Sequence, residues 1–505
     1  MKPLDIEDLY ELSPLQQGIL FHSLAAEDPG AYLITVSYAF RGELELPLFE
    51  RAWQETVDAN PVLRTSFHWE DINKPLQVVH RGVRIAFEAL DWRDVEEEEQ
   101  GERMAALLER ERTRGLSLSE APLMRLAFIR AGADRYRLVW TFHHVVLEGW
   151  SAAVLLREVF FRYRALRNGE AVKPEPRRPY RDYILWLQQR DMSRVEAYWR
   201  RVLEGFSSPT PLPGTRPAGS GAGPGAYGHQ GLSLPAAASV ALESLARRNG
   251  LTLNTVLQGA WAVLLSRYSG EEDVVFGSVV SGRGEMPHAE AMVGLFVNTL
   301  PARVTIRPEA PLLTWLKDLQ DRQVEMREFE YSPLMQVQGW SQVPRGTRLF
   351  ETIFAFQNWA GDLSLQGLAD GLEVEQLQSI EGSTDYPLAV EIGGGSRISA
   401  VFTYDRRRFA DSSVARLIGH YDTLLQGIVA RPEVRLSELP LLTAGEVERA
   451  RVEWNATGRE YARQAGIHGL FEEQAALRPE AIAVSFGGEE LSYGELDGRS
   501  NRLAR

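Results

Sequence analysis

From Gly205 to Gly228 the chain reads GFSSPTPLPGTRPAGSGAGPGAYG, and no regular helix or strand can be built from that run of glycine, proline and serine. It reads as an exposed loop or a connector between lobes. What flanks it sets the fold class. Ser13 to His22 opens with a Ser-Pro cap and continues as a short helix. Tyr32 to Phe40 (YLITVSYAF) is a strand rich in β-branched and aromatic residues. Pro47 to Asp58 is amphipathic, with Phe49, Trp53 and Val57 four apart. Glu102 to Thr113 reads as a helix, Arg135 to Phe142 (RYRLVWTF) as a strand, and Ala152 to Arg167 as a helix that stops at Asn168-Gly169. Beyond the connector the rhythm returns, with helices over Thr252 to Tyr268, Leu312 to Phe329 and Ser412 to Val429. Strands are expected at Asp273 to Val280, Leu349 to Gln357 and Ile398 to Tyr404. The expectation is an α/β protein of two similar lobes, although the letters show no repeat.

The 505 residues leave room for about three domains or lobes. Hydrophobic residues are 44% and charged residues 25%, which excludes a mainly disordered chain. The net charge of −14 argues against broad binding to nucleic acid or to an anionic membrane. There is no cysteine, so thiolate nucleophiles, disulfides and cysteine metal ligands are all excluded. Any nucleophilic chemistry must use Ser, Thr, Lys, Asp/Glu or a bound substrate. No apolar run is long enough to cross a membrane. The start, Met1 to Asp8, lacks the apolar core of a signal peptide, so a cytoplasmic protein is expected.

The most unusual stretch is His143-His144-Val145-Val146-Leu147-Glu148-Gly149-Trp150-Ser151. Adjacent strand residues point to opposite faces, so the two imidazoles are expected in different environments. Histidine holds or accepts a proton near neutral pH, as acyl transfer to an amine requires. Glycine lets the backbone turn after the acid. The same spacing also describes a buried histidine pair with ordinary hydrogen bonds, and spacing alone does not decide between them. The acid run Asp94 to Glu99 reads as a solvated helix face, and no ligand spacing for a metal competes with these readings.

The stretch resembles HHxxxDG, the signature of condensation domains of non-ribosomal peptide synthetases, a fold related to chloramphenicol acetyltransferase. Other matches follow in the family's order along nearly the whole chain. Leu12-Ser13-Pro14-Leu15-Gln16-Gln17-Gly18 looks like the opening motif, and Pro61 to Phe67 contains an LRTxF element. Tyr180 to Trp186 is similar to YxDFxxW, and Val293 to Arg303 to GxFVNTxxxR. Ser332-Pro333-Leu334 and Arg348 to Thr352 resemble the late motifs. The resemblance implies two α/β lobes, at 1–178 and 179–440, in a V-shaped pseudo-dimer with a central tunnel. It implies amide formation, in which the amine of an acceptor aminoacyl-carrier attacks a donor thioester. The partners would be donor and acceptor peptidyl carrier domains, which bring phosphopantetheine arms. No permanent cofactor and no metal are expected.

By the same resemblance the catalytic motif is His143, His144, Glu148 and Gly149, with His144 the active imidazole and His143 and Gly149 structural. Trp150 and Ser151 continue it as HHxxxDGWS, a form met in domains taking L-configured donors and in some starter domains. Asn298 either adds polar contacts near the tunnel or belongs to a packing element. The family's acid is an aspartate paired with the LRTxF arginine; here the positions hold Glu148 and Arg64. Either the longer arm still reaches Arg64, or the loop moves and carries His144 with it.

Trp454-Asn455-Ala456-Thr457 and Leu491-Ser492-Tyr493-Gly494-Glu495-Leu496 resemble the start of an adenylation domain acting in cis, with a linker over 441–460 and the truncated start over 461–505. Neither a phosphate loop nor a lysine-bearing subdomain follows, so ATP-dependent activation is not expected. The helical pattern runs to Arg505 without a stop signal, which reads as the boundary of a fragment, expected to be monomeric. The donor is expected to be a fatty acyl group on a carrier or coenzyme A, as in a starter domain, or a peptide delivered in trans. Epimerisation and a non-catalytic docking platform are the alternatives on this fold. The adenylation start argues against the first, and the presence of His144 against the second.

Overall fold

The strand Arg135–His143 is the third of five in the sheet of the first lobe. In the computed structural model, which describes residues 6–26, 28–172, 177–212, 227–284, 286–357, 371–381, 386–394, 397–458 and 466–505, the order is Glu373–Glu381, Leu33–Arg41, Arg135–His143, Met124–Arg130, Ala86–Asp91. Neighbours are antiparallel except the last pair. The helix Leu46–Ala59 lays Phe49, Trp53 and Val57 on this sheet, as their spacing of four requires, and all three are fully buried. Trp53 meets Trp140 edge to face at 5.0 Å, and Phe49 packs on Phe160 and Tyr163 of the helix Gly149–Asn168. Each such side chain contributes roughly 1.5–3 kcal/mol by leaving water. That helix ends at Gly169, whose φ of 69° is the left-handed conformation a stop glycine provides.

The second lobe has a mixed sheet of six strands, ordered Asn298–Thr305, Asp273–Val280, Thr352–Gln357, Leu388–Gly393, Ser399–Asp405, Tyr227–Ser233. The helix Leu253–Ser269 is apolar nearly all round and is buried against one face. Its Trp261 lies 6.0–6.4 Å from the rings of Phe354, Phe402 and Tyr421. A smaller antiparallel sheet, Ile6–Glu11, Leu76–His80 and Thr65–His68, extends the first lobe.

The lobes are interlocked rather than strung in sequence. The strand Glu373–Glu381, from the later half of the chain, completes the sheet of the first lobe by pairing with Leu33–Arg41. A division at 178/179 does not anticipate this crossing. Two smaller expectations also change. The strand expected from Leu349 begins at Thr352, and the helix expected from Glu102 begins at Glu97. Glu97, Glu98 and Glu99 of the acid run occupy its first turn, where negative charge complements the helix dipole. Of the glycine- and proline-rich run, 213–226 lie outside the described residues, but Tyr227 and Gly228 open a strand. Gly228 is required there by contact: an added Cβ would sit 2.4 Å from the Tyr404 ring.

The chain forms two compact units, Met1–Leu441 and Leu442–Arg505. The second holds a short helical segment over Ala444–Glu453, then the helix Ile467–Leu477 and a hairpin of Ile482–Phe486 with Glu489–Ser492. Gly487 and Gly488, at φ 63° and 89°, make its two-residue turn. The helix Tyr493–Leu503 follows, opened by a reciprocal Ser492–Glu495 cap. Ile467, Phe486 and Leu503 of this unit are almost fully exposed. Among the described residues no helix is long and apolar enough to cross a membrane.

Candidate active site

His143 is the last residue of its strand and His144 the first beyond it. The backbone N–H of His143 bonds to Leu123 and that of His144 to Tyr32, so the pair is held between two neighbouring strands. Their side chains part as alternation requires. His143 is buried; its Nδ1 accepts the Val145 N–H at 3.1 Å, which leaves Nε2 to carry the proton toward Ser23 Oγ at 3.5 Å. Burial, with the neighbouring His144 in addition, pushes its pKa down to about 3, so this ring is neutral. His144 is half-buried on the wall of a cavity. Its Nδ1 lies 2.7 Å from the Leu147 carbonyl. A carbonyl only accepts, so Nδ1 carries a hydrogen, and Nε2 is the ring nitrogen left to accept.

The loop after the pair is pinned at both ends. Gln16, in the first turn of the helix Pro14–Ala25, donates to the Val145 carbonyl at 3.0 Å. Gln16 also closes a reciprocal cap with Ser13 and exchanges amide bonds with Gln77. The local chemistry of the Ser-Pro-Leu-Gln stretch is thus both a helix start and a loop anchor.

At the other end stands Glu148, 2% exposed. Its expected pairing with Arg64 is not formed. One carboxylate oxygen accepts the Arg283 Nε–H at 2.9 Å and its Nη2–H at 2.5 Å, and the other accepts the backbone N–H of Phe296 at 3.0 Å and Val297 at 2.7 Å. Arg283 also donates to the carbonyls of Ala289 and Met292, to Ser151 Oγ at 2.8 Å, and lies over the Phe296 ring. Arg64 sits elsewhere, buried: it clamps Glu7 and the His80 carbonyl, both at 2.6 Å, and so ties the small sheet together. The longer arm of Glu148 is accommodated because its partner is a different arginine, reached across the lobes.

Ser151 completes this clasp. Its hydroxyl donates to the Gly294 carbonyl at 2.7 Å and accepts the Gly294 N–H at 3.0 Å. Trp150 donates to the Glu290 carbonyl at 2.9 Å. Gly149 is not in the left-handed region; it is the first residue of its helix and lines the cavity. Asn298 is buried, and its amide donates to the Glu330 and Ser332 carbonyls at 2.8 and 2.7 Å, a structural clasp beside the cavity wall.

The cavity, about 1640 Å³, is bounded by both lobes. That exceeds the roughly 300–1,000 Å³ of a pocket for one small ligand and is room for two reactants. His144, Glu148, Gly149, Trp150 and Asn298 reach its wall; His143, Arg64 and Ser151 do not. Arg283, also on the wall, is the residue that sequence reading missed. The signal available was a Gly-Arg-Gly at the end of the strand Asp273–Val280 and a buried acid in need of a cation. The arrangement supplies an imidazole whose Nδ1 is held by the Leu147 carbonyl, with Nε2 turned to a space large enough to align an amine and an acyl group.

A family model described as Condensation domain matches residues 6–449. One polypeptide of the linear gramicidin synthase of Brevibacillus parabrevis is 40% identical over 99% of this chain and 10% of its own length. Bacitracin synthase 3 of Bacillus licheniformis is 34% identical over 100% of this chain and 8% of its own length. The chain therefore spans a tenth or less of the length of these two relatives. Among solved structures, a variant of the starter condensation domain of rhizomide synthetase in complex with C8-CoA aligns with a TM-score of 0.74 at 21% identity, over 86% of this chain and 98% of that one. A four-domain nonribosomal peptide synthetase bound to AMP and glycine aligns at 0.77 and 19% identity, over 100% of this chain and 39% of its own. Both likenesses concern the fold.

Proposed function

The chain belongs to the condensation-domain family, and from that premise we propose that it forms an amide bond between two carrier-bound substrates in a non-ribosomal peptide synthetase. The amine of the acceptor aminoacyl thioester attacks the donor carbonyl. A C–N bond forms, the C–S bond breaks, and the donor arm leaves as a thiol, which takes up the proton released by the amine. Thioester aminolysis is downhill, so no nucleotide enters this step. The protein's work is to align the reactants, a contribution of up to ~7–11 kcal/mol in well-aligned cases, and to handle one proton.

The observation that carries this reading is the His144 Nδ1 bond to Leu147, which leaves Nε2 as an acceptor on the cavity wall. His144 receives the hydrogen bond or the proton of the attacking amine. Glu148, Gly149, Trp150 and Ser151 hold the loop, and His143, Arg64 and Asn298 hold the strands around it. The partners are donor and acceptor carrier domains with phosphopantetheine arms, and an adenylation domain whose start is read over 461–505, after a linker over 441–460. The chain works in the cytoplasm as a monomer. We favour a fatty acyl donor, on a carrier or coenzyme A; the apolar side chains of Ile19, Ile34, Val36 and Phe142 on the first-lobe wall support it. A peptide delivered in trans is the other donor.

The test supplies aminoacyl-loaded acceptor carrier with either acyl-coenzyme A or a peptidyl carrier and reads products by mass spectrometry. Amide product with one donor supports the reading and fixes the donor class. Absence of product with both, from protein whose acceptor carrier is shown to be loaded, overturns it.

A further inference from the structure

Part of the cavity wall belongs to the strand Leu33–Arg41. Ile34, Val36 and Tyr38 line the cavity and their alternate neighbours Thr35 and Ser37 do not, so the side chains of one strand face make the contact. Phe40 shares that face and meets Phe160 of the helix Gly149–Asn168 at 5.7 Å, so this is the face on which that helix packs. The first turns of the helix reach the cavity through Gly149, Ala152 and Ala153, and residues this small leave open space against the strand.

Tyr38 is 5% exposed, whereas Phe21 and Met335 on the same cavity are 68% and 79% exposed. The cavity opens beside the latter two, and Tyr38 stands on its inner part. Leu33 pairs with His143 and Tyr38 with Leu138, so Tyr38 lies ~17 Å along the strand from the histidine pair. Ile34 and Val36 make the stretch between them apolar. Among the described residues no hydrogen-bond partner meets the Tyr38 hydroxyl. Unlike Trp53 Nε1 and Trp140 Nε1, which are sealed in the core without a partner, it keeps access to the cavity. Burial pushes its pKa up, so it stays an O–H group. A buried tyrosine hydroxyl usually finds a partner; this one faces the space that a substrate fills.

We propose, on the amide-forming reading above, that Tyr38 is a specificity-determining residue whose hydroxyl binds an oxygen carried on the donor chain, on the order of ten to fifteen chain atoms beyond the reacting carbonyl. An extended chain advances ~3.4 Å for every three backbone atoms, so ~17 Å takes about fifteen atoms, and the reach of the two side chains lowers that toward ten. The acceptor is a single aminoacyl residue, so the donor is the reactant with that length. A donor that is hydrocarbon at this depth displaces water from the hydroxyl and offers no bond in return. The oxygen belongs either to a hydroxyl or oxo group of a fatty acyl donor or to a backbone carbonyl of a peptide donor. The bond to Tyr38 is the same.

The experiment compares the native protein with Tyr38→Phe, which removes the hydroxyl and keeps the ring that packs in the core. In the first arm, carriers bearing a dodecanoyl or an ω-hydroxydodecanoyl group are paired with one loaded acceptor carrier. In the second, the donors are a tetrapeptidyl carrier and its analogue with an alkene in place of the first peptide bond. In one arm the kcat/KM ratio of the oxygenated donor to its apolar analogue is expected to fall about ten-fold in Tyr38→Phe. The arm in which it falls identifies the donor chemistry. A fall of less than about three-fold in both arms overturns the proposal. The melting temperature is expected to be unchanged, and a drop of several degrees would mean that the hydroxyl is bonded within the protein, which overturns it as well. Absence of amide product from the native protein with every donor overturns the amide-forming reading instead, and that outcome is distinct.

Discussion

The Glu148 carboxylate is bound by Arg283, 135 residues further along the chain, with the two side chains only 2% and 7% exposed. One ion pair thus fixes the loop of His144 to the segment that crosses from the second lobe. Removing either charge leaves the other buried alone. Glu148→Gln or Arg283→Leu is expected to lower unfolding stability by ~3–5 kcal/mol, read by urea titration. Glu148→Asp asks the finer question. A shorter arm cannot keep both the guanidinium and the Phe296 and Val297 N–H groups, so a loss of about 1–3 kcal/mol is expected, with no gain in rate. A large gain in rate would mean that the loop is displaced in the native chain.

Gly282 sets the turn that delivers Arg283. Its φ is +62°, and an added Cβ would lie 2.0 Å from the Phe296 carbonyl oxygen. Gly169 has a similar φ of +69° but open space around it. Gly169→Ala is expected to cost about 1–2 kcal/mol, the penalty of the left-handed conformation alone. Gly282→Ala adds a backbone clash to that penalty and is expected to cost several kcal/mol, with amide-forming activity lost in parallel. Equal melting temperatures for the two variants would show that the Phe296 contact is not a constraint.

What was legible in the sequence was local. The spacing of Phe49, Trp53 and Val57, the β-rich run from Arg135 to Phe142, and the Asn168-Gly169 stop each follow from a few adjacent residues, and each has its element in the fold. The motif order also led to the family and to the cavity wall at His144. What was not legible depends on distant chain. Arg283 has only the flanking Gly282 and Gly284 to mark it, and its partner lies in the other lobe. The strand Glu373–Glu381 (EVEQLQSIE) places apolar residues three apart rather than two, because its pairing shifts register between Gln376 and Gln378. It is also an edge strand of a sheet built mostly from the first lobe, so nothing in its neighbourhood announces it.

His143 gives the fold a pH dependence of definite sign. Its ordinary value of 6.5 is depressed to about 3 by burial, with His144 adding to the effect. Below pH 6.5 the unfolded chain binds a proton that the folded chain refuses until near pH 3. The stability contributed by the neutral, buried ring is complete above pH 6.5 and is lost progressively as pH falls toward 3. His143→Asn keeps an acceptor for the Val145 N–H and removes the titration. Between pH 6.5 and 4 its unfolding free energy is expected to fall less steeply than the native protein's, by up to ~1 kcal/mol per pH unit. Parallel slopes would show that the ring is not buried neutral.

His144 differs from its neighbour because it lines the cavity. The Leu147 carbonyl fixes the Nδ1 hydrogen, so Nε2 is presented as an acceptor without a rearrangement at the moment of reaction. If that nitrogen takes the amine's proton in the transition state, His144→Ala loses ~10²–10⁴ in kcat. The same loss is expected in kcat/KM, because an interaction made only in the transition state lowers both equally. If His144 instead only holds the bound amine in place, the variant raises KM for the acceptor carrier and leaves kcat nearly intact. Saturation curves in acceptor carrier separate the two, and the expected outcome is the kcat loss. A variant whose kcat and KM both match the native protein would remove His144 from the reaction.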